Sequence, residues 1–512
     1  MERIQLDEFL RFHFLSNLQL SPDAQHAAFV VSKSNEEKDG YQAGIWTADL
    51  SSGECRPLTA GKDERSYLWL DDHSILFASK RESKKEPVDA YSTDYFSISL
   101  CGGEARKVMT IPAPVGAIKK LGEDTYLISA EYDNQLPEDF FNMSREERAK
   151  LLKSREEEKD YMVCDELPFW SNGVGVTNGK RDRLYLYHNC TNRFEPLTGP
   201  MYQLENYALS DDNKKLLYIG SEGVQSLKQE LVEVDLETKE STVLIPVSSW
   251  DLSRAGYAGE TIVVTANENK NYGINENSAL YRYNRESQSL ELILDPDRTW
   301  YSSVGSDCRY GGGKAFIPDE TGVTYLTTER NCSKINHVSL DGSVVSLTAE
   351  EGSVDCFDRK GEVLVYVAMR GDKLQELYCL KDGTEVQLSQ INTPVLKDKA
   401  VVTPKMLCFT NKDGVEIDGW VLEPVDYCPD QSYPAILDIH GGPKTAYGTC
   451  FFHEMQYWAS LGYFVFFCNP RGGDGRGNEF ADIRGHYGQE DYEDIMQFTD
   501  LVLWTYPQID TS

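Results

Sequence analysis

The segment His440-Gly441-Gly442-Pro443 places a histidine and two glycines directly after a mostly apolar run, Ala435–Ile439. Such a run predicts a buried strand, so the glycines would lie in a loop at its carboxyl end. A glycine lets the backbone approach a reacting carbonyl, and the N–H of Gly442 could then donate to the developing oxyanion. Removing one such donor raises the barrier by on the order of 3 kcal/mol. The motif therefore indicates half of an oxyanion hole for acyl transfer.

Loops of this kind occur in the α/β-hydrolase fold, where the triad runs Ser, acid, His along the chain and the base comes last. His440 is therefore not assigned as the base. It is grouped with Gly441 as a candidate substrate contact, with a purely structural role as the alternative. The chain contains no Gly-x-Ser-x-Gly and ends at Ser512. We expect all three triad residues to lie beyond Ser512, and none is assigned within this chain.

Two charged residues are further candidates for contacting a substrate. Glu166 precedes Phe169 and Trp170 and could present a carboxylate at a channel mouth to a cationic group such as a free amine. The alternative is an exposed Glu166 beside two core aromatics. Arg471 lies in the loop 469–477 and would contact a substrate terminus or tie its own loop through a salt bridge.

The twelve cysteines are scattered, with no Cys-x-x-Cys pair and no histidine at zinc-ligand spacing. They are interpreted as small buried hydrophobic residues in a reducing cytosol. No metal and no cofactor is therefore expected.

A repeated unit of short strands must position these residues. The clearest copy begins at Leu20-Ser21-Pro22-Asp23, continues through Ala27–Val31 and Ile45–Asp49, and closes at Arg56–Thr59. Seven copies, at roughly 55 residues each, are slightly longer than usual propeller blades. Because one four-stranded sheet cannot bury both faces, the repeats predict an all-β seven-bladed β-propeller over residues 1–400. Six or eight blades, or an array of β-sandwiches, are the alternatives.

One insertion, at about 131–160, is highly charged. Ser144 and Glu147 are spaced as a capping box, which predicts a helix from about Arg145 to Lys159. A solvated surface helix and a lid or docking element both fit this pattern.

From about Val401, apolar strands alternate with helices, which predicts a parallel α/β sheet. Residues 401–512 are therefore interpreted as the incomplete N-terminal part of an α/β-hydrolase domain. The predicted strands and helices are Ala435–Ile439, Tyr463–Cys468, His453–Leu461 and Tyr492–Tyr506.

Three segments, 434–443, 469–472 and 488–494, resemble the prolyl oligopeptidase family of serine peptidases, above all its acylaminoacyl-peptidase branch. The resemblance implies a propeller that covers the hydrolase domain and admits only short peptides to a Ser-Asp-His triad. It also implies that the third strand lies outside the fourth, as an open edge when the later strands are absent. Gly473 and Arg476 stand where the family commonly has serine and tyrosine.

The expected function is therefore that of a serine exopeptidase acting on short aminoacyl, acylaminoacyl or dipeptidyl substrates. We expect this chain alone to be an inactive fragment, either bound to the C-terminal remainder of a cleaved polypeptide or simply shortened. A non-catalytic propeller that binds peptides or proteins is the alternative, and an esterase would share the oxyanion loop but needs no size filter. The residues leave open the choice among N-acylated, free-amine and proline substrates, and also the oligomeric state.

Charge and hydropathy argue against nucleic-acid and membrane partners. The 51 basic residues against 83 acidic ones give a net charge of −32, which repels nucleic acid and anionic lipid surfaces. The apolar runs are too short to span a bilayer, and the N-terminus lacks the apolar segment of a signal peptide. A cytoplasmic protein is therefore expected.

Overall fold

The computed structural model describes residues 1–38, 40–60, 63–81, 88, 91–223, 227–442 and 444–511. Within them, seven antiparallel sheets of four strands follow one another and are numbered here in chain order. Sheets 1 to 3 contain His13–Leu20, His26–Asn35, Gly40–Asp49 and Cys55–Pro57; Tyr67–Asp71, Ser74–Ala78, Thr93–Ser99 and Arg106–Ile111; Val115–Lys120, Thr125–Asp133, Lys180–His188 and Arg193–Pro196. Sheets 4 and 5 contain Tyr202–Leu209, Lys215–Glu222, Glu230–Asp235 and Ser241–Ile245; Asp251–Ala258, Thr261–Asn267, Ala279–Asn284 and Ser289–Leu294. Sheets 6 and 7 contain Phe316–Asp319, Gly322–Glu329, Cys332–Ser339 and Val344–Ser346; Ser353–Lys360, Val363–Met369, Glu376–Lys381 and Thr384–Gln387.

Each sheet shares an apolar core with the next one because side chains alternate between its two faces. In sheet 2, Ile75 and Phe77 point into the core shared with sheet 1, whereas Leu76 points into the core shared with sheet 3. The last core joins sheet 7 to sheet 1, where Leu18 and Val365 belong to one buried cluster. The sheets therefore pack in succession, and the first packs against the last, as in a β-propeller.

The insertion in sheet 3 connects its second and third strands. It contains the helix Arg145–Glu157, which ends two residues before the predicted end, and the short hairpin Trp170–Ser171 with Gly175–Val176. The Ser144 hydroxyl accepts from the N–H of Glu147, and the Glu147 carboxylate accepts from the N–H of Ser144, which completes the capping box. Because Leu152 packs into the core between sheets 2 and 3, the helix is not merely a solvated element.

The C-terminal region forms one mixed sheet. Its strands are Lys405–Met406, Phe409–Thr410, Glu416–Leu422, Ala435–Leu437 and Phe464–Asn469. The α-helices around it are Thr393–Leu396, His453–Ser460, Asn478–Ala481 and Glu490–Thr505, and short 3-10 helices lie at Glu8–Arg11, Glu36–Lys38, Phe140–Asn142 and Gly273–Asn275. None of the helices in the described ranges is long and apolar enough to cross a membrane.

The order of these strands places Ala435–Leu437 at the end of the sheet among the described strands, next to Phe464–Asn469. Just before this strand, Tyr433 forms an isolated parallel bridge with Ile509. The prediction of a parallel sheet is confirmed for the pairing of Ala435–Leu437 with Phe464–Asn469. The sheet as a whole is mixed, because Glu416–Leu422 runs antiparallel to Phe464–Asn469 and to the two short strands before it. The tight turn at Gly414 returns the chain alongside itself, so that Phe409–Thr410 and Glu416–Leu422 form a hairpin.

The first residues of the chain pack on the C-terminal region. The N–H of Glu2 donates to Asp398 O at 2.8 Å, and the N–H of Ile4 donates to Ser460 Oγ at 3.1 Å. The imidazole of His453 lies 3.0 Å from Gln5 O. These contacts tie the N-terminus to the helix His453–Ser460.

All twelve cysteines are free thiols. Their interpretation as buried hydrophobic residues is correct for six of them and wrong for the four exposed ones, Cys101, Cys164, Cys190 and Cys408. The exposed cysteines lie outside the sheet cores, in turns and connecting segments where spacing along the chain carries no burial signal.

Candidate active site

The candidate oxyanion loop leaves the carboxyl end of the edge strand Ala435–Leu437. Gly441 and Gly442 are exposed, and a Cβ on Gly441 would meet no atom within 4 Å. Among the described residues, no acceptor lies within hydrogen-bonding distance of either backbone N–H. Pro443 lies outside the described residues. Both N–H groups are therefore free to donate to an incoming carbonyl oxygen.

His440 is bonded within this loop. Its Nδ1 lies 2.8 Å from Gly441 O, and since a carbonyl only accepts, Nδ1 carries the hydrogen. Burial lowers the pKa of His440, so the ring is neutral at pH 7. The ring also meets Tyr447 edge-on, with centroids 4.9 Å apart. These contacts indicate that His440 maintains the shape of the loop. This is the purely structural role that was the alternative to contacting a substrate.

Tyr447 and Asn469 form the base of the loop. The N–H of Tyr447 donates to Asn469 Oδ1 at 2.7 Å, and Asn469 Nδ2 donates to Tyr447 O at 2.9 Å. The Tyr447 hydroxyl donates to the carboxylate of Asp438 on the preceding segment. The loop therefore starts from a hydrogen-bonded platform.

The loop also contacts the propeller. Lys444 Nζ donates to Asn275 O at 2.9 Å, and Gly305 N donates to Ala446 O at 2.7 Å. The N–H of Ala446 donates in turn to Ser303 O at 3.2 Å. Sequence reasoning missed these residues because their partners lie more than a hundred residues away, and no local pattern marks them.

The glycine-rich segment 472–477 docks beside the same part of the propeller. Asp474 is 2% exposed and accepts hydrogen bonds from Thr299 Oγ1 at 2.9 Å and Ser303 Oγ at 2.6 Å. Gly475 has a φ of 83°, and a Cβ there would lie 2.3 Å from Arg330 O. Only glycine allows this close approach, so the segment closes against sheet 6.

Arg471 is held within its own domain. Its guanidinium contacts both carboxylate oxygens of Asp494 at 2.9 Å, and Asp413 at 3.0 Å. Asp494 is fully buried and also accepts from Arg471 N at 3.0 Å. The hydrogen bonds raise the pKa of Arg471, which stays charged. This is the loop-tying salt bridge considered above, and no guanidinium face is directed at the oxyanion loop by these contacts.

Glu166 is paired with Arg181. The two groups meet at 2.7 Å, with side chains 15% and 4% exposed, and the N–H of Gly179 donates to the same carboxylate. Phe169 and Trp170 are 44% and 53% exposed, so the expectation of core aromatics is wrong. The carboxylate is neither exposed nor free, because Arg181 of sheet 3 and the N–H of Gly179 both donate to it. The structure does not bring Glu166 into contact with the oxyanion loop.

The Glu166–Arg181 pair predicts pH-dependent stability. Hydrogen bonding from Arg181 lowers the pKa of Glu166 below its unfolded value, so its stabilisation is present at neutral pH and lost as the pH falls through the folded pKa. We expect Glu166→Gln to lower the free energy of unfolding by about 1–3 kcal/mol at pH 7, a loss that shrinks in acid. Urea denaturation at pH 7 and below about pH 4 measures both values. Glu104→Gln, at an exposed turn, serves as the control; an equal loss at both pH values would contradict the pairing.

Comparison with known proteins places these features in a family. The profile described as "Prolyl oligopeptidase family" matches residues 449–512. The chain is 28% identical over 534 residues to "Uncharacterized peptidase YuxL" of Bacillus subtilis, covering 99% of this chain and 77% of that protein. It is 30% identical over 546 residues to "Dipeptidyl-peptidase 5" of Trichophyton equinum, covering 96% of this chain and 70% of that protein.

Among solved structures, Pyrococcus horikoshii acylaminoacyl peptidase superposes with a TM-score of 0.76 at 22% identity, over 99% of this chain and 74% of that one. That likeness supports the fold, a propeller joined to a hydrolase domain. The sequence match to the Trichophyton protein is stronger evidence of relationship than the structural likeness, since it includes both the propeller and the C-terminal region. Together with the oxyanion loop, it shows that the chain belongs to the prolyl oligopeptidase family of serine peptidases.

Proposed function

We propose that this chain provides a seven-bladed propeller and the oxyanion loop of a serine exopeptidase that hydrolyses short peptides. The observation that carries the proposal is the pair of N–H groups at Gly441 and Gly442, which have no acceptor in the described ranges and lie on a loop fixed by the propeller. The relatives support it, since they are described as a peptidase and a dipeptidyl-peptidase. We assign the oxyanion donor to this chain and leave the triad unassigned.

The chemistry follows from the geometry of the loop. As a serine attacks the scissile carbonyl, negative charge develops on its oxygen, and the N–H of Gly442 donates to that oxygen. The second donor is the N–H of the residue after the nucleophile. Neutral His440 holds Gly441 O away from the anion through its Nδ1–H, so the loop presents donors and not a carbonyl.

A polar cavity beside the loop suits a short peptide. It measures about 490 Å³ and lies between sheets 4 and 5, with Lys444 of the oxyanion loop in its wall. Glu205, Arg254 and several asparagines also line it, so it offers both charges and amide groups to a peptide backbone. The propeller around it would keep folded proteins out. This arrangement favours aminoacyl, acylaminoacyl or dipeptidyl substrates over larger ones.

The test is hydrolysis of an aminoacyl, an N-acetyl-aminoacyl and a dipeptidyl p-nitroanilide by the complete polypeptide that contains this chain. We expect turnover of at least one of them, abolished by a serine-directed phosphonate. The preferred substrate then identifies the type of exopeptidase. No turnover and no phosphonate labelling would contradict the peptidase and favour a propeller that only binds its partner.

The free thiols support a reducing compartment. Four exposed cysteines with no disulfide partner would be liable to oxidation outside the cell. We therefore propose a cytoplasmic location, which cell fractionation would test.

A further inference from the structure

A second cavity lies beside the glycine-rich segment 472–477, and the residues that line it include none of the oxyanion loop. It measures about 720 Å³ and is enclosed by the second and third strands of sheet 6, the end of sheet 5 and the backbone of Gly475. Its apolar walls include Leu294, Pro296 and Val344. The cavity is therefore large enough for a small organic molecule.

Two guanidinium groups in its wall donate to backbone carbonyl oxygens. Arg298 donates to the backbone O of Asp297 at 2.7 Å, and Arg476 donates to the backbone O of Glu416 while stacking on Phe480 at 4.5 Å. In the part of the chain that the structure describes, neither forms a salt bridge. In a chain of net charge −32, two unneutralised arginines in one cavity reverse the local charge.

The other charged side chains in the cavity wall are paired or exposed. Arg330 is bonded to Asp418 at 2.5 Å and 2.6 Å, behind the wall. Lys334 pairs with Glu329 at 3.3 Å, and Glu351 is exposed at the rim. The excess positive charge that faces the cavity therefore comes from Arg298 and Arg476.

Two buried polar side chains also line the cavity, each with an oxygen that has no partner among the described residues. Thr327 and Asn336 are 2% and 5% exposed, yet Thr327 Oγ1 and Asn336 Oδ1 make no hydrogen bond among the described residues. The Asn336 side chain is otherwise held by its Nδ2, which donates to Glu329 at 3.0 Å. Leaving a buried polar atom unbonded destabilises the folded protein. An anionic oxygen of a bound molecule could accept from the Thr327 hydroxyl, whereas Asn336 Oδ1 only accepts and would need a hydroxyl of that molecule as donor.

We propose that this cavity binds a small organic polyanion, carrying phosphate or carboxylate groups, between sheet 6 and the glycine-rich segment. The guanidinium groups of Arg298 and Arg476 would bind its anionic oxygens. Thr327 would donate to a further oxygen, and the apolar wall would cover the carbon skeleton. Occupancy would bridge the propeller to the segment that carries Asp474, and so would tighten the contact between the two regions.

Isothermal titration calorimetry tests the proposal with pyrophosphate and citrate as probes, in metal-free buffer of low ionic strength. We expect saturable binding of at least one probe, which weakens as salt is added. Pyrophosphate alone would indicate a phosphate ligand, and citrate alone a carboxylate ligand. Absence of saturable binding by both probes would overturn the proposal.

Variants locate the binding. We expect Arg298→Gln to weaken the probe about tenfold or more, and Thr327→Val to weaken it by a few-fold, because each removes one donor. Arg193→Gln makes the same charge change on an exposed side chain of sheet 3 and should leave the affinity within about twofold. Thermal unfolding verifies that each variant folds. Equal affinity in Arg298→Gln and Arg193→Gln would place the binding elsewhere and refute the site.

Discussion

Replacing Gly442 by proline is expected to lower kcat of the complete enzyme by about 100- to 1,000-fold. Proline has no N–H, so the substitution deletes the donor that would face the oxyanion. In the structure this N–H has no acceptor among the described residues, and the loop is held from both sides by Asn469 and the propeller. The loss should fall on kcat, with KM changed little, because the oxyanion exists only in the transition state.

Gly442→Ala is the matched control. It keeps the N–H and adds only a Cβ, which would lie 3.3 Å from Lys444 N. We expect it to retain activity within about tenfold of the parent enzyme, since the N–H is kept and the close contact requires a displacement of only a few tenths of an ångström. Steady-state kinetics on one p-nitroanilide compares the two variants. Equal kcat losses in both would mean that loop shape, and not the N–H, limits the reaction.

Replacing Asp494 by alanine is expected to lower the free energy of unfolding by about 3–5 kcal/mol. Asp494 is fully buried, and its carboxylate accepts hydrogen bonds from the backbone N–H and the guanidinium of Arg471. It also accepts from Asn411 Nδ2 at 2.7 Å. Its removal leaves a largely buried guanidinium with only Asp413 as a charged partner. Urea denaturation followed by circular dichroism measures the change.

Asp482→Ala provides the comparison on an exposed pair. Asp482 bonds to Arg484 at 2.7 Å, but the arginine side chain is 44% exposed, and water competes for the interaction. We expect this variant to lose only about 0–1 kcal/mol. Similar losses in Asp482→Ala and Asp494→Ala would show that burial does not strengthen the Arg471 bond.

Much of the strand pattern was predictable from the sequence. The runs Ala27–Val31 and Ile45–Asp49 fall within observed strands of sheet 1, because alternating apolar residues and Asp or Gly turns act over a few residues. The capping box at Ser144 was predictable for the same reason, because it depends on residues only a few positions apart. The edge position of Ala435–Leu437 came from the family resemblance, since strand order depends on crossovers that no short window contains.

The candidate site, too, was predictable from the sequence only in part. An available N–H at Gly442 was predictable because the motif itself places this glycine after a strand, whereas the unbonded N–H of Gly441 was not predicted. The roles of Glu166 and Arg471 remained open, since an unpaired carboxylate and a bonded one have the same sequence. Their partners, Arg181 and Asp494, lie 15 and 23 residues away and become neighbours only when the chain folds.

The sequence by itself determined the repeated strands, the oxyanion motif and the family, because periodicity and motif spacing are properties of neighbouring residues. Only the tertiary structure decided that Lys444 fixes the oxyanion loop and Asp474 the glycine-rich segment to the propeller, and that Arg298 and Arg476 share one cavity. Those relations join residues far apart along the chain. Their energies depend on burial and distance, and both arise only when the sheets pack.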